Sequence, residues 1–400
     1  MPETQKEPTT SKAEESKAEP AAATATASGS NNASTSTKDA PAPAPAATTT
    51  TTSQPAPAAS GSDPSHHGQT LTGIVPADPE DDDDPEEFEL QDVSAEGYET
   101  DGRSSASTSI TSSVYAHTIE HGRRYQHFKN GRYPIPNDED ELNREDMKHA
   151  MLMELCDGQL FYSPVENVQK VLDIGTGTGI WAIEMGDRYP AARVRGIDIS
   201  PVQPVWVPPN VDFLVDDCEV GEWLDKDVDL VHFRFMTPVL KQPKNTLTQA
   251  YQSLKPGGWL ELQELAAEIL CDDGSMPEDD GLKYAYELLD QSFTKFGMNL
   301  LIPKTIEPIL REIGFVNIQC MVKKVPIGPW ARDKTLRVVG MYQQMAVEQF
   351  LPALAGRPLA ALGFSPVEAQ VIAAKARATL NDRKLHRHFH YYFWMAQKPQ

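Results

Sequence analysis

The segment Val171-Leu-Asp-Ile-Gly-Thr-Gly-Thr-Gly-Ile180 constrains this chain more than any other. Val168, Val171, Leu172 and Ile174 form a short apolar run that predicts a buried strand. Glycines follow at 175, 177 and 179, and a helical pattern begins at once with Ile180, Trp181, Ile183 and Met185. Glycine permits positive φ and lets a ligand approach the backbone with no Cβ in the way. The start of a helix adds free N–H groups and a partial positive charge. A dinucleotide fingerprint would place its third glycine at position 180, where this chain has Ile180. Asp173, on the strand just before the loop, would repel a pyrophosphate. It is better suited to ordering the loop and accepting hydrogen bonds near a cationic ligand.

The same alternation continues downstream. Arg193–Asp198, Val211–Val215, Val228–Phe233 and Trp259–Leu262 read as further strands. Thr246–Leu254 reads as a helix stopped by Lys255-Pro-Gly-Gly258. Strands alternating with helices predict right-handed βαβ units and an α/β, doubly wound, mainly parallel sheet covered on both faces. Helices over Gly281–Phe296 and Ile302–Ile313 precede a strand at Phe315–Val325, and the aromatic run Arg387–Ala396 predicts a last strand in the same sheet. Residues 328–384 are then a helical insertion before that strand. Upstream, Asn137 or Asp138 caps a helix carrying Leu142, Met147, Ala150, Met151 and Leu155. The body therefore divides into a helical cap, 113–165, and a core, 166–400.

Residues 1–112 have a different composition. Of the first 60 residues, 44 are Ala, Thr, Ser or Pro. Such a segment lacks the apolar surface to offset its ordering entropy, which predicts disorder. Asp78–Asp101 holds 13 acidic residues and no Lys or Arg, a large share of the net charge of −22. That balance argues against direct nucleic-acid binding through phosphate neutralisation. The four cysteines, Cys156, Cys218, Cys271 and Cys320, are too few and too far apart for a disulfide framework or a cysteine zinc site. No apolar run has the ~18 residues of a membrane span, and the N-terminus has no apolar secretory region. The expectation is a protein of the cytoplasm, the nucleus or both, with the acidic arm free to engage a regulatory protein partner.

Asp173-x-Gly175-x-Gly177-x-Gly179 resembles the first motif of class I S-adenosylmethionine-dependent methyltransferases. Asp198 closes the second strand, where a carboxylate can accept both ribose hydroxyls of a nucleoside. Asp216-Asp217-Cys218 follows the third strand, where that family places an acid on the adenine amino group and a backbone N–H on the ring. More narrowly, the body from about Tyr115 is similar to the fungal LaeA-like, or TAM-domain, methyltransferases. Gly122-Arg-Arg-Tyr125, Tyr133-Pro-Ile-Pro-Asn-Asp-Glu139, Gly196-Ile-Asp-Ile-Ser-Pro-Val-Gln-Pro204 and Val231-His-Phe-Arg-Phe235 carry the likeness, with the glycine loop. The resemblance implies a seven-stranded Rossmann-like fold, S-adenosyl-L-methionine as cofactor, and a role in secondary metabolism or its regulation. It implies cofactor contacts for Asp173, Gly175, Thr176, Gly177, Gly179, Asp198, Ile199, Asp217 and Cys218. Upstream segments of this fold often close over the cofactor, so Tyr125 or Arg124 is expected at the methionine end.

Methyl transfer is an in-line displacement in which alignment supplies most of the acceleration. A general base helps when the acceptor is a protonated oxygen or nitrogen. His232, near the end of the fourth strand, is the candidate, since an imidazole titrates near neutral pH. The alternative is that His232 packs against the cofactor site. The fourth strand ends Val231-His-Phe-Arg-Phe-Met236, without the Asn-Pro-Pro-Tyr turn of planar-nitrogen methylation. Nor is there a paired-glutamate loop of the protein arginine methyltransferase kind. Glu261 and Glu264, on the fifth strand and its exit, either line the acceptor pocket or, the favoured reading, are exposed strand-end acids. His386, His388 and His390 share one face of the last strand and read as a solvated face, with no metal. The methyl acceptor is a small molecule or a protein. The competing reading is a cofactor-binding regulatory subunit with little or no catalysis.

Overall fold

The computed structural model describes residues 71–78 and 116–400. The expectations for the rest of the tail, including its disorder and acidic arm, lie outside the described residues. The cap opens with a hairpin, β1 (His117–Glu120) and β2 (Arg123–Gln126), and not with a helix. Its turn is His121-Gly122, both at positive φ, the geometry a two-residue hairpin requires. Helix α1 (Glu139–Leu155) follows, with Asp138 as N-cap accepting the Glu141 N–H. Arg123 clamps the same carboxylate at 2.5 and 2.6 Å, which ties the hairpin to the helix start.

The core is built from β3 (Lys170–Ile174), α2 (Ile180–Arg188), β4 (Arg193–Asp198), β5 (Val211–Val215), β6 (Val228–Arg234), α3 (Pro243–Ser253) and β7 (Leu254–Cys271). Helices α4 (Gly281–Lys295) and α5 (Glu307–Ile313) precede β8 (Val316–Pro326). Helices α6 (Lys334–Leu354), α7 (Arg357–Leu362) and α8 (Pro366–Leu380) separate β8 from β9 (Arg387–Gln397), as the insertion reading expects. The sheet has seven strands in the order β5-β4-β3-β6-β7-β9-β8, with β9 antiparallel to both its neighbours and β3 to β7 parallel. Residues 228–233 of β6 are all buried, because helices cover both faces of a central parallel strand.

Two differences from the sequence reading concern β7 and β9. Strand β7 runs nine residues beyond Leu262, because β9 pairs with it as far as Cys271. Strand β9 closes the sequence but lies inside the sheet, between β7 and β8. The histidine face is therefore only partly solvated: His386 and His390 are half-buried, while His388 is 1 % exposed and burial pushes its pKa down to about 4. Phe389, Tyr391 and Phe393 are buried on the other face, as expected.

A further difference lies inside the expected tail. Leu71–Asp78 is an extended segment whose Pro76 bridges Ala331. The Ala77 N–H donates to the Trp330 carbonyl at 2.9 Å, and the Arg332 N–H to the Val75 carbonyl at 2.8 Å. Leu71-Thr-Gly-Ile-Val-Pro76 is an aliphatic run within an otherwise polar stretch, a signal the composition argument averaged away. Among the described residues, no helix is long and apolar enough to cross a membrane.

Candidate functional site

The carboxyl ends of β3, β4, β5 and β6 open into a cavity of about 290 Å³. Ligands in open α/β sheets bind at this edge. The cavity has a polar outer part, over the glycine loop, and an apolar inner part between α1, α4 and α6.

The outer part is ordered by carboxylates. Asp173 is 2 % exposed and accepts from Thr176 Oγ1 at 2.6 Å and from His232 Nδ1 at 2.8 Å. It therefore fixes the loop, which is the reading its position favoured. The Gly175 and Thr176 N–H groups donate to the Ile197 carbonyl, which locks the loop onto β4. Asp198 accepts from the Gly177 N–H at 2.9 Å and the Ser200 N–H at 2.8 Å. Burial pushes its pKa up to about 6 against those hydrogen bonds. Asp217 is 5 % exposed, with Arg132 at 3.5 Å, and Arg132 also pairs with Glu219. Ile199, Asp217 and Cys218 line the cavity together with Asp173, Gly175, Thr176, Gly177 and Asp198.

Three expected site residues play other parts. Gly179 (φ 84) is the N-cap of α2 and does not line the cavity. A Cβ there would collide with the Phe213 ring, so this glycine serves close packing. Tyr125 is fully buried away from the cavity, under the guanidinium of Arg357 at 3.7 Å. The hairpin turns it inward, and Arg124 is likewise spent on the Asn137 carbonyl. His232 is fully buried; its ring stacks on Trp181 at 3.7 Å and 5°, and its Nδ1 is held by Asp173. It belongs to the wall of the cavity, where it positions Asp173, and presents no accessible atom as a general base.

Several lining residues escaped the sequence reading. Arg132, Tyr133 and Asn137 come from the cap and replace Tyr125 at the cavity. Glu145 on α1 reaches the loop: a Cβ on Gly177 would lie 2.8 Å from its Oε2. Burial first, then the carboxylate of Glu141, pushes the Glu145 pKa up to about 8. Lys148, one turn further along α1, is 8 % exposed, with Nζ 3.2 Å from the Phe235 ring centroid. Burial holds its pKa well below the usual lysine range. Phe235 follows β6 at φ 56, a conformation costing a bulky residue ~1–3 kcal/mol. Arg234 is spent on Gln263 and His149. Glu261 and Glu264 are fully buried, not exposed. Glu261 accepts from the Tyr162 and Ser163 N–H groups; Glu264 accepts from those of Met236 and Thr237. Both hold the backbone beside the cavity because β7 lies between two strands.

The donor set suits a cationic nucleoside. Asp198, at the end of β4, and Asp217, just after β5, line the outer part of the cavity, and the Glu145 carboxylate lies beside the glycine loop. A Cβ on Gly175 would collide with the Met236 sulfur and one on Gly177 with the Glu145 carboxylate, so both positions need glycine for close approach. Fold and site together define a class I S-adenosylmethionine-dependent methyltransferase.

Comparisons with known proteins agree. A family model described as a methyltransferase domain matches residues 147–320. The methyltransferase pytC of Aspergillus terreus is 37% identical over 315 residues, which is 77% of this chain and 95% of that protein. The secondary metabolism regulator LAE1 of Cochliobolus heterostrophus is 33% identical over 291 residues, 70% of this chain and 95% of that one. The protein-methionine methyltransferase laeA of Emericella nidulans is 31% identical over 286 residues, 70% and 76% of the two chains. The chain belongs to the fungal LaeA-like methyltransferases.

Proposed function

We propose that the protein methylates a small, largely apolar molecule held in the inner part of the cavity. The observation that carries this is the lining beyond Met236: Tyr286, Leu289, Phe293, Leu300, Val347 and Phe350. An apolar, concave compartment with few polar groups is the usual form of a small-molecule site. Helices α4 and α6 supply most of it, so the insertion before β9 shapes the acceptor site. The cofactor supplies an electrophilic methyl group. The chain's share is to hold the nucleoside on Asp198 and Asp217, hold the ammonium near Glu145, and exclude water with the apolar wall. Radiolabelled S-adenosylmethionine with the full chain should label organic-extractable molecules from a fungal metabolite extract. Label found only in precipitated protein from a matched protein extract would overturn this reading.

A second reading has one observation in its favour, the relatives named as secondary metabolism regulators. In it the chain is a cofactor-binding regulatory subunit, in cytoplasm or nucleus, and its N-terminal arm engages a protein partner. Replacing Gly175 and Gly177 by valine separates the two. An enzyme loses its cellular effect; a scaffold that stays folded keeps it.

A further inference from the structure

Lys148 is a buried amine with an aromatic face beside it and no hydrogen bond or ion pair among the described residues. Its Nζ lies 3.2 Å from the centroid of the Phe235 ring. It lines the cavity at the junction of the outer and inner parts, one turn along α1 from Glu145, which marks the glycine loop. Phe235 holds a left-handed backbone conformation to present its ring there, and strain of this kind persists where the surroundings enforce it. An unpaired buried amine destabilises a fold, so its position calls for a ligand.

We propose that Lys148 binds and deprotonates the acceptor hydroxyl, and that the methyl acceptor is a weakly acidic hydroxyl compound, a phenol or an enol, on an apolar skeleton. This rests on the small-molecule reading above. The acceptor proton moves to Nζ, giving an ammonium paired with an oxyanion. The oxygen then forms a bond to the methyl carbon as the carbon–sulfur bond breaks, and sulfur keeps that electron pair. The products are a methyl ether and a neutral thioether, with the proton left on Nζ for release to water. The charged groups facing Lys148 are Glu141, Arg144 and Glu145 on α1, Arg234 on β6 and Glu264 on β7. Arg144 is paired with Glu141, and burial pushes both Glu145 and Glu264 up to about 8. With cofactor bound, the Glu145 carboxylate faces the cofactor's own positive charge, and burial favours the neutral form of Lys148.

The test uses the full chain with S-adenosylhomocysteine and two probes, 4-nitrophenol and its methyl ether 4-nitroanisole. Bound 4-nitrophenol should show the phenolate absorbance band at a pH about one unit lower than in free solution. Lys148→Met should abolish that shift and weaken 4-nitrophenol about tenfold, while 4-nitroanisole and the cofactor product bind as before. Lys148→Met should also raise the melting temperature, since it removes an unpaired buried amine, and this separates loss of the base from loss of the fold. Equal phenolate absorbance in both proteins, or a lowered melting temperature, overturns the proposal and leaves the small-molecule reading standing. Failure of both probes to bind the wild-type complex overturns the two together.

Discussion

Glu145 carries a direct consequence of burial at the scale of one residue. Its carboxyl is pushed up to about 8 and lies against Gly177 in the glycine loop, within the site proposed to hold the cofactor's ammonium. A bound cation favours the carboxylate, so binding expels a proton wherever Glu145 is protonated in the free protein. The sign follows: affinity for S-adenosylmethionine rises with pH up to about 8 and then levels. Between pH 6 and pH 8 the gain is about tenfold or more. Glu145→Gln should flatten that part of the profile, and calorimetry in buffers of different ionisation enthalpy should count less than one proton released. A variant that keeps the wild-type slope would contradict this role. Neither Glu145 nor Lys148 was visible in the sequence. Both sit in a helix legible only through its cap and its apolar positions, and their burial comes from the cavity that tertiary packing forms over them.

At the scale of elements, Asp280 and Arg387 join three pieces that are far apart in sequence. Asp280 caps α4 by accepting the Lys283 N–H and pairs with Arg387 at 3.1 Å. Arg387, at the start of β9, also donates to the Thr379 carbonyl at the end of α8. Both side chains of the pair are fully buried. Asp280→Ala removes the cap and strands a buried guanidinium, so it should destabilise the fold by ~3–5 kcal/mol. Because α4 lines the inner part of the cavity and Arg387 ties its start to α8, chemical denaturation should show this loss. A cost under ~1 kcal/mol would show that water reaches this pair. The elements themselves were largely legible. The apolar runs at Val171–Ile174 and Val228–Phe233 are all-buried central strands, and Asp138 does cap α1. The β1–β2 hairpin had a signal in His121-Gly122 but little local apolar alternation. The extension of β7 and the burial of His388 depend on where β9 inserts, which is a property of sheet order and not of local pattern.

At the scale of the whole molecule, one sheet edge holds the cofactor landmarks, and the cap and insertion enclose what lies beyond them. The landmarks were legible because each lies at a strand end: Asp173 near the end of β3 and Gly175 just after it, Asp198 at the end of β4, Asp217 just after β5. The acceptor compartment was not legible, because its wall combines residues from 148 to 350 that only tertiary packing brings together. Tyr125 and His232 show the same limit from the other side. Their residue types suited the chemistry, but packing spent one on Arg357 and the other on Asp173 and Trp181. The central claim is that this edge binds S-adenosylmethionine through Asp198, and titration calorimetry of the full chain and of Asp198→Ala tests it. The wild type should bind S-adenosylmethionine and S-adenosylhomocysteine, and the variant should lose at least ~2 kcal/mol of affinity, more than thirtyfold, while its melting temperature in the absence of cofactor is retained. Equal affinity of the two folded proteins would contradict the account.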